Sequence, residues 1–248
     1  MKNRIATIAT AIAICWPGIS AATPEAQTAQ YTSYPEIIEG VRIYMPSFEN
    51  NRALISDLSD FPGLSQQRIF ANALLAARQG FEGDSEDFEY VDFSNFKMRI
   101  KIEAVDESRN ATYRYTLAIQ AADEILSFEV FDMTISYRER GVIPRTQRIE
   151  KMNPADNERH KNLITGLLFN ISSLIKQMTE SIATAKAGEV NHWDALAEGN
   201  IVNGMNPTEV ILLQGIPDSE RKTSNRVKWM YGNENVIIFT DGVVTKVI

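Results

Sequence analysis

Over residues 153–185 the apolar positions recur three or four residues apart: Leu163, Ile164, Leu167, Leu168, Ile171, Leu174, Ile175, Met178 and Ile182. That spacing places them on one stripe of a long helix, because side chains three and four apart share a helical face. Asn153 predicts the cap, Pro154 suits the first helical position, and Asp156 and Glu158 suit the positive helix end. A stripe this broad requires a cover, and the alternating segments upstream supply one.

Phe96, Met98, Ile100, Ile102 and Ala104 alternate with Lys97, Arg99, Lys101 and Glu103, a strand with one buried and one wet face. A turn over 106–110 leads to a strand carrying Tyr113, Tyr115, Leu117 and Ile119. Leu126, Phe128 and Val130 continue the pattern, and then the phase slips to Phe131, Met133, Ile135 and Tyr137. One extra residue near 130–132 produces such a slip, so a bulge or a break between two strands is expected there. Nearer the N-terminus, Val41, Ile43 and Met45 predict a strand ended by Pro46, and residues 50–63 read as loop and short turns. Ser65 opens a helix with Ile69, Phe70, Ala73, Leu74 and Ala77 on one face, stopped by Gly80. The acidic run 83–89 lacks the ligand spacing and central glycine of a calcium loop and reads as solvated. Strand, helix, three or four strands and a long helix imply an α+β fold, with an antiparallel sheet and helices on one face.

Past residue 183 the character changes. Alanines, Gly188 and polar residues read as a helix end followed by a linker. Asn206, Pro207 and Glu209 then mark a helix start, and Gly215 and Pro217 its end. Val227, Trp229 and Tyr231 alternate as a strand, 236–240 as a second, and Asp241-Gly242 is a two-residue hairpin turn before a last strand over 243–248. The expected organisation is a signal peptide over 1–22, a flexible arm over 23–35, a domain over 36–186, a linker over 187–198 and a module over 199–248.

The signal peptide rests on Lys2 and Arg4 before an apolar run over 5–15, on Trp16, Pro17 and Gly18 that break any helix, and on Ser20, Ala21 and Ala22 that offer a cleavage site. The run is shorter than the roughly 20 apolar residues of a membrane span. Cleavage after Ala22 leaves 23 bases against 32 acids and moves the net charge from −7 to −9. That balance disfavours nucleic acid as a partner, since phosphate binding needs concentrated positive charge. Cys15 is the only cysteine, and Ile14 stands where lipoprotein signals place a small residue, so a mature chain without disulfide or thiol nucleophile is expected. A composition of 44% hydrophobic and 23% charged residues is that of an ordinary globular protein.

Candidate chemistry is sparse. His160 and His192 fall on separate elements and make no metal site by spacing. The chain has neither a G-x-S-x-G elbow nor a Gly-rich phosphate loop, so no catalytic, metal or cofactor residue is expected. Arg138, Arg140, Arg145, Arg148 and Lys151 form a basic cluster between the last strand and the long helix. It reads either as a dock for an acidic partner or anionic lipid headgroups, or as a solvated connection balanced by Glu139 and Glu150.

The element order, with Tyr113-Arg114-Tyr115 after a strand and turn, resembles an uncharacterised family of exported bacterial proteins with a TATA-binding-protein-like (TBP-like) fold, over residues 35–185. At the C-terminus, Gly199-Asn200-Ile201, Gly204-Met205, Val210, Gly215, Pro217, Trp229, Tyr231-Gly232 and Phe239 before Asp241-Gly242-Val243 resemble the SmpA/OmlA (BamE-like) envelope lipoproteins. That resemblance implies a helix-plus-hairpin module that contacts protein partners or the outer membrane. The chain is therefore expected to be a non-catalytic envelope protein of a Gram-negative periplasm or outer-membrane periphery, with an envelope protein or an anionic membrane surface as partner. One alternative is a small apolar ligand held between sheet and long helix by Tyr113, Tyr115, Phe128 and Met178, which otherwise read as core. Another is an unrecognised hydrolase.

Overall fold

The computed structural model describes residues 36–80, 84–138, 143–184, 190–232 and 235–248. The expected signal peptide and arm, Cys15, Gly83, Glu139, Arg140 and Gly188 lie outside them.

Among the described residues the chain is a mixed α+β structure. The largest sheet has seven antiparallel strands. Its members are β3 (Ser47–Glu49), β4 (Arg52–Asp60), β5 (Asp84–Asp92), β6 (Lys97–Asp106), β7 (Ala111–Ala122), β8 (Ile125–Tyr137) and β9 (Arg145–Arg148). They run in the order β3-β4-β8-β7-β6-β5, and β9 also pairs with β8. A two-residue ribbon of β1 (Ile37–Ile38) and β2 (Val41–Arg42) precedes the sheet. Helix α1 (Gln66–Gln79) and the long helix α2 (Glu158–Thr184) pack against each other. A short helix α3 (Trp193–Ala197) leads to α4 (Pro207–Gln214) and a second antiparallel sheet, β10 (Ser219–Lys222), β11 (Arg226–Tyr231), β12 (Asn235–Thr240) and β13 (Val243–Val247).

Strand β8 carries the expected slip. Leu126, Phe128 and Val130 are buried before it, and Met133, Ile135 and Tyr137 after it. Arg114 pairs with Thr134 but Thr116 with Phe131, so Tyr115 faces two residues of β8, and Asp132 takes φ 54°. This is a bulge with its extra residue in the left-handed region, which Asp tolerates better than most side chains. The extra residue, Asp132, falls inside the expected 130–132, but Phe131 does not take the inner side expected of it. Phe131 stays on the outer face, where the Arg99 guanidinium lies 5.6 Å from its ring centre. The bulge is also where β8 changes partner, pairing with β4 over 125–130 and with β9 over 134–137.

All nine apolar residues of the α2 stripe are buried. Polar contacts fix how the helix sits. Tyr115 Oη donates to Asn170 Oδ1 at 2.8 Å, and Tyr44 N donates to Ser172 Oγ at 3.0 Å. The helix begins four residues after the expected Pro154. Asn157 caps it, accepting from His160 N at 3.1 Å, while Asn153 closes the preceding turn on Asp156. Two Asx-type turns in series compete for one start, and the later one carries the helix.

Three further expectations change. Residues 50–63 were expected as loop, but β4 spans nine of them. Beyond Ala53 and Ile55 it lacks an apolar rhythm, and its ladder with β8 holds it. The acidic run expected as a solvated loop is the edge strand β5, whose charges discourage further strand addition. The strand expected over 41–45 is only Val41–Arg42, and residues 43–46 continue without strand pairing.

The stretch expected as a linker over 187–198 contains α3. Leu196 is buried, and the Trp193 ring lies 5.7 Å from Phe96 and 6.4 Å from Phe93. Asn206 and Glu209 form the expected capping box of α4. Glu209, fully buried, does more. Its Oε1 accepts from Asn191 N at 2.6 Å, His192 N at 2.9 Å and His192 Nδ1 at 3.0 Å, and its Oε2 from Asn206 N at 2.7 Å. Burial raises the pKa of this carboxyl, but the donors outweigh that and lower it. In the second sheet Trp229 and Phe239 meet edge to face at 4.6 Å, and Asp241 and Gly242 both take positive φ, as a type I′ hairpin requires.

Glu209→Gln keeps the shape but turns donors of its amide toward backbone N–H groups. It should cost about 1–3 kcal/mol at neutral pH. Because the folded carboxyl sits below its unfolded value of about 4.3, its contribution is complete above that pH and fades as pH falls through the folded pKa. Denaturant unfolding of both proteins at pH 7 and in acid should show the difference shrinking in acid.

Candidate functional site

The turn between β6 and β7 stands as a ridge at one end of the large sheet. It is braced by Asp106, whose Oδ1 accepts from Ser108 Oγ at 2.6 Å and Arg109 N at 3.0 Å. Its Oδ2 accepts from Tyr113 Oη and Arg109 Nη1, each at 2.8 Å. Burial raises the Asp106 pKa, but the hydrogen bonds from Ser108, Tyr113 and Arg109 outweigh it and bring the carboxyl down to about 2. Burial and the hydrogen bond to Asp106 raise Tyr113 in turn, so the phenol is held protonated. Arg109 also crosses to α2, donating from Nε to Asn162 Oδ1 at 2.9 Å.

A hollow lies on each side of the ridge, and Val105, Asp106 and Glu107 line both. One, of about 420 Å³, opens against α2 and meets Phe169, Asn170, Ser173, Leu174 and Gln177. The other, of about 380 Å³, opens against the end of β8 and meets Tyr137, Arg138 and Pro144. Large apolar side chains are left in solvent here, with Val105 62% and Ile143 82% exposed.

The basic cluster is only partly at this end. Arg138 and Arg145 are exposed there, Arg145 pairing in register with Tyr137. Lys151 is exposed beyond the far end of β9, and Arg140 is outside the described residues. Arg148 is not available as a docking cation. Its Nη2 donates to Asp132 Oδ1 at 2.6 Å, its Nε lies 3.5 Å from Glu150 Oε2, and the bond to Asp132 raises its pKa. Glu150 Oε1 in turn accepts from Ala53 N at 2.9 Å, so this group ties β9 to β4 across the bulge. Sequence reasoning missed Arg159, which is exposed in the first turn of α2 and donates from Nη2 to the Arg138 carbonyl at 3.1 Å. Only tertiary structure brings it into the cluster.

Of the residues expected to line an apolar ligand pocket, Tyr113, Tyr115, Phe128 and Met178 are all buried, and Tyr113 also lines the hollow beside α2. His160 Nδ1 accepts from Asn153 N at 3.1 Å, which places the proton of the neutral ring on Nε2, 3.4 Å from Tyr137 Oη. His192 serves Glu209. The histidines lie apart, and among the described residues no three of His, Cys, Asp and Glu converge as metal ligands. No helix among the described residues is long and apolar enough to cross a membrane.

No protein-family model matches the chain. No curated protein matches it. Two of the solved structures similar to it are these. A TBP-like protein from Parabacteroides distasonis shares 13% identity at a TM-score of 0.47, with 56% of this chain and 98% of that one covered. A DUF4468 family protein from Bacteroides ovatus shares 8% identity at a TM-score of 0.40, with 68% of this chain and 100% of that one covered. Both scores are below one half, and neither likeness bears on what this chain binds.

The ridge and α2 approach so closely that only glycine fits at 166. A Cβ there overlaps Tyr113 Oη and meets Arg109 Cδ at 2.8 Å. Glycine to alanine inside a helix ordinarily stabilises by up to about 1 kcal/mol. Gly166→Ala should instead destabilise, by about 1–3 kcal/mol, through overpacking. Adding Tyr113→Phe, which removes the clashing oxygen, should recover part of the loss in a thermal melt.

Proposed function

We propose that the chain is a non-catalytic cell-envelope protein that docks a protein partner on the sheet end around the β6–β7 ridge. The observation that carries this reading is the exposure of Val105 and Ile143 in one region with Arg138, Arg145 and Arg159. An apolar group in water beside cations matches a partner surface with an apolar contact inside an acidic rim. Fixing the ridge through Asp106 supports the reading, since a surface held in shape loses little entropy on binding. The SmpA/OmlA-like residues of the C-terminal module support an address in the periplasm or at the outer-membrane periphery. In this reading the acidic partner belongs to the envelope, and the anionic membrane surface is the rival target of the same cations.

A second reading rests on the hollow beside α2. Its volume is within the range of small-molecule sites, roughly 300–1,000 Å³. Phe169 and Leu174 offer apolar contact, and Ser173 and Gln177 offer hydrogen bonds. A ligand there has mixed polarity, unlike the apolar one expected from the sequence.

Arg138→Glu combined with Arg145→Glu should lower capture of a partner from envelope extracts about tenfold or more. The melting temperature should stay nearly unchanged, because exposed charges usually contribute under about 1 kcal/mol. Ile143→Ser should weaken capture in the same direction. Equal capture by wild type and charge-reversed variant at low salt removes this surface from the account. Loss of binding to anionic vesicles, with partner capture intact, assigns the cations to the membrane instead.

A further inference from the structure

Arg78, in the last turn of α1, is half-buried beneath the C-terminal part of the chain. Its guanidinium carbon lies 4.1 Å from the centre of the Phe88 ring, and its Nη2 donates to the Leu213 carbonyl in the last turn of α4 at 3.3 Å. The negative end of that short helix meets part of the charge. The rest is unmet, since Nε is buried without a hydrogen-bond partner. Burial lowers the Arg78 pKa, and the nearby Tyr231 phenol, itself raised to about 12 by burial, is uncharged at neutral pH and supplies no counter-charge. No carboxylate among the described residues is paired with Arg78. A guanidinium removed from water without an anion is costly, and an anionic guest relieves that cost.

A cleft of about 360 Å³ opens onto this residue. Phe88, Phe93, Leu196 and Leu213 give it apolar walls, and exposed Glu198 also lines it. Four segments build it, since Arg78 belongs to α1, Phe88 and Phe93 to β5 and its following turn, Leu196 to α3 and Leu213 to α4. We propose that this cleft binds a small monocarboxylate with an apolar or aromatic body, the carboxylate on Arg78 and the body against Phe88, Phe93 and Leu196. With Nε buried and Nη2 on the Leu213 carbonyl, the guest's carboxylate meets the guanidinium through Nη1, and the cation suits it by charge. Glu198 makes a doubly charged phosphate a poorer guest, because a single cation meets it with a like charge nearby. The site is separate from the ridge, and bridging α1 to α4 means that its guest also ties the C-terminal part to the first domain.

The test uses the full chain and 3-phenylpropionate, followed by Trp fluorescence, since Trp193 touches the cleft wall at Phe93, and by amide NMR shifts. Saturable binding with a dissociation constant near 1 mM is the expected affinity of so small a guest. 3-Phenylpropanol and inorganic phosphate should bind at least tenfold more weakly. Arg78→Gln should lower affinity tenfold or more, and Glu198→Gln should raise it several-fold. The tripeptide Gly-Gly-Phe carries the same carboxylate and ring, so tighter binding by it than by the free acid assigns the site to peptide C-termini and overturns the small-molecule assignment. The proposal also fails if the alcohol binds as well as the acid, or if no saturable shift occurs. If Arg78→Gln does not fold, Glu198→Gln decides: unchanged affinity in that exposed-site variant overturns the proposal.

Discussion

A strand of thirteen residues keeps one face in the core only if its apolar positions stay in step with the pleat; those of β8 slip by one residue, and a bulge at Asp132 restores the step. The extra residue lets Leu126, Phe128 and Val130 on one side and Met133, Ile135 and Tyr137 on the other all point inward. It also bends the edge, so that β4 takes the first half and β9 the second. The seam between these partners is closed by charge. Arg148 reaches Asp132 at the bulge and Glu150 beside it, and Glu150 holds the Ala53 amide. The placement of β9, and with it the exposed Arg145 and Ile143, follows from that one irregularity.

The two longer helices pack against each other, and α2 is tied to the rest of the chain through few polar contacts at chosen points. Tyr113 and Tyr115 are neighbours on the inner face of β7, and their hydroxyls have different tasks. One braces the ridge through Asp106, and the other grips α2 at Asn170. Gly166 lets helix and ridge approach closely enough for both. The C-terminal part is attached by the same economy of means. Glu209 satisfies four donors from two segments, and Arg78 reaches from α1 to the end of α4. Buried charges with several partners fix geometry more than they add stability, since desolvation offsets most of their attraction.

The features legible in the sequence are those written into local spacing. The α2 stripe, the alternation of β6, the phase slip in β8, the Asn206–Glu209 capping box and the Asp241-Gly242 turn each need only a few neighbouring residues to be recognised. Strands β4 and β5 were not legible, because polar and acidic residues form strands there only once a neighbour offers its ladder. The start of α2 was misplaced because Asn153 and Asn157 each carry a cap signal. For the site, spacing revealed that cations cluster near residue 145 but not which are spent. Arg148 is consumed by Asp132 and Glu150, Arg159 arrives from another element, and Arg78 is an ordinary helix cation until α4 covers it. Partnership of that kind is a property of three dimensions.

The most direct measurement is cooperative unfolding, by heat and by two optical probes, of Asp132→Val beside Asp132→Asn. Both substitutions remove the carboxylate that meets Arg148, but a side chain branched at Cβ resists the left-handed backbone of the bulge, at a cost of about 1–3 kcal/mol. The account predicts a clearly lower melting temperature for Asp132→Val than for Asp132→Asn, whose side chain also tolerates the left-handed region. An Asp132→Val variant that melts like Asp132→Asn, with β9 equally protected from hydrogen exchange, contradicts it.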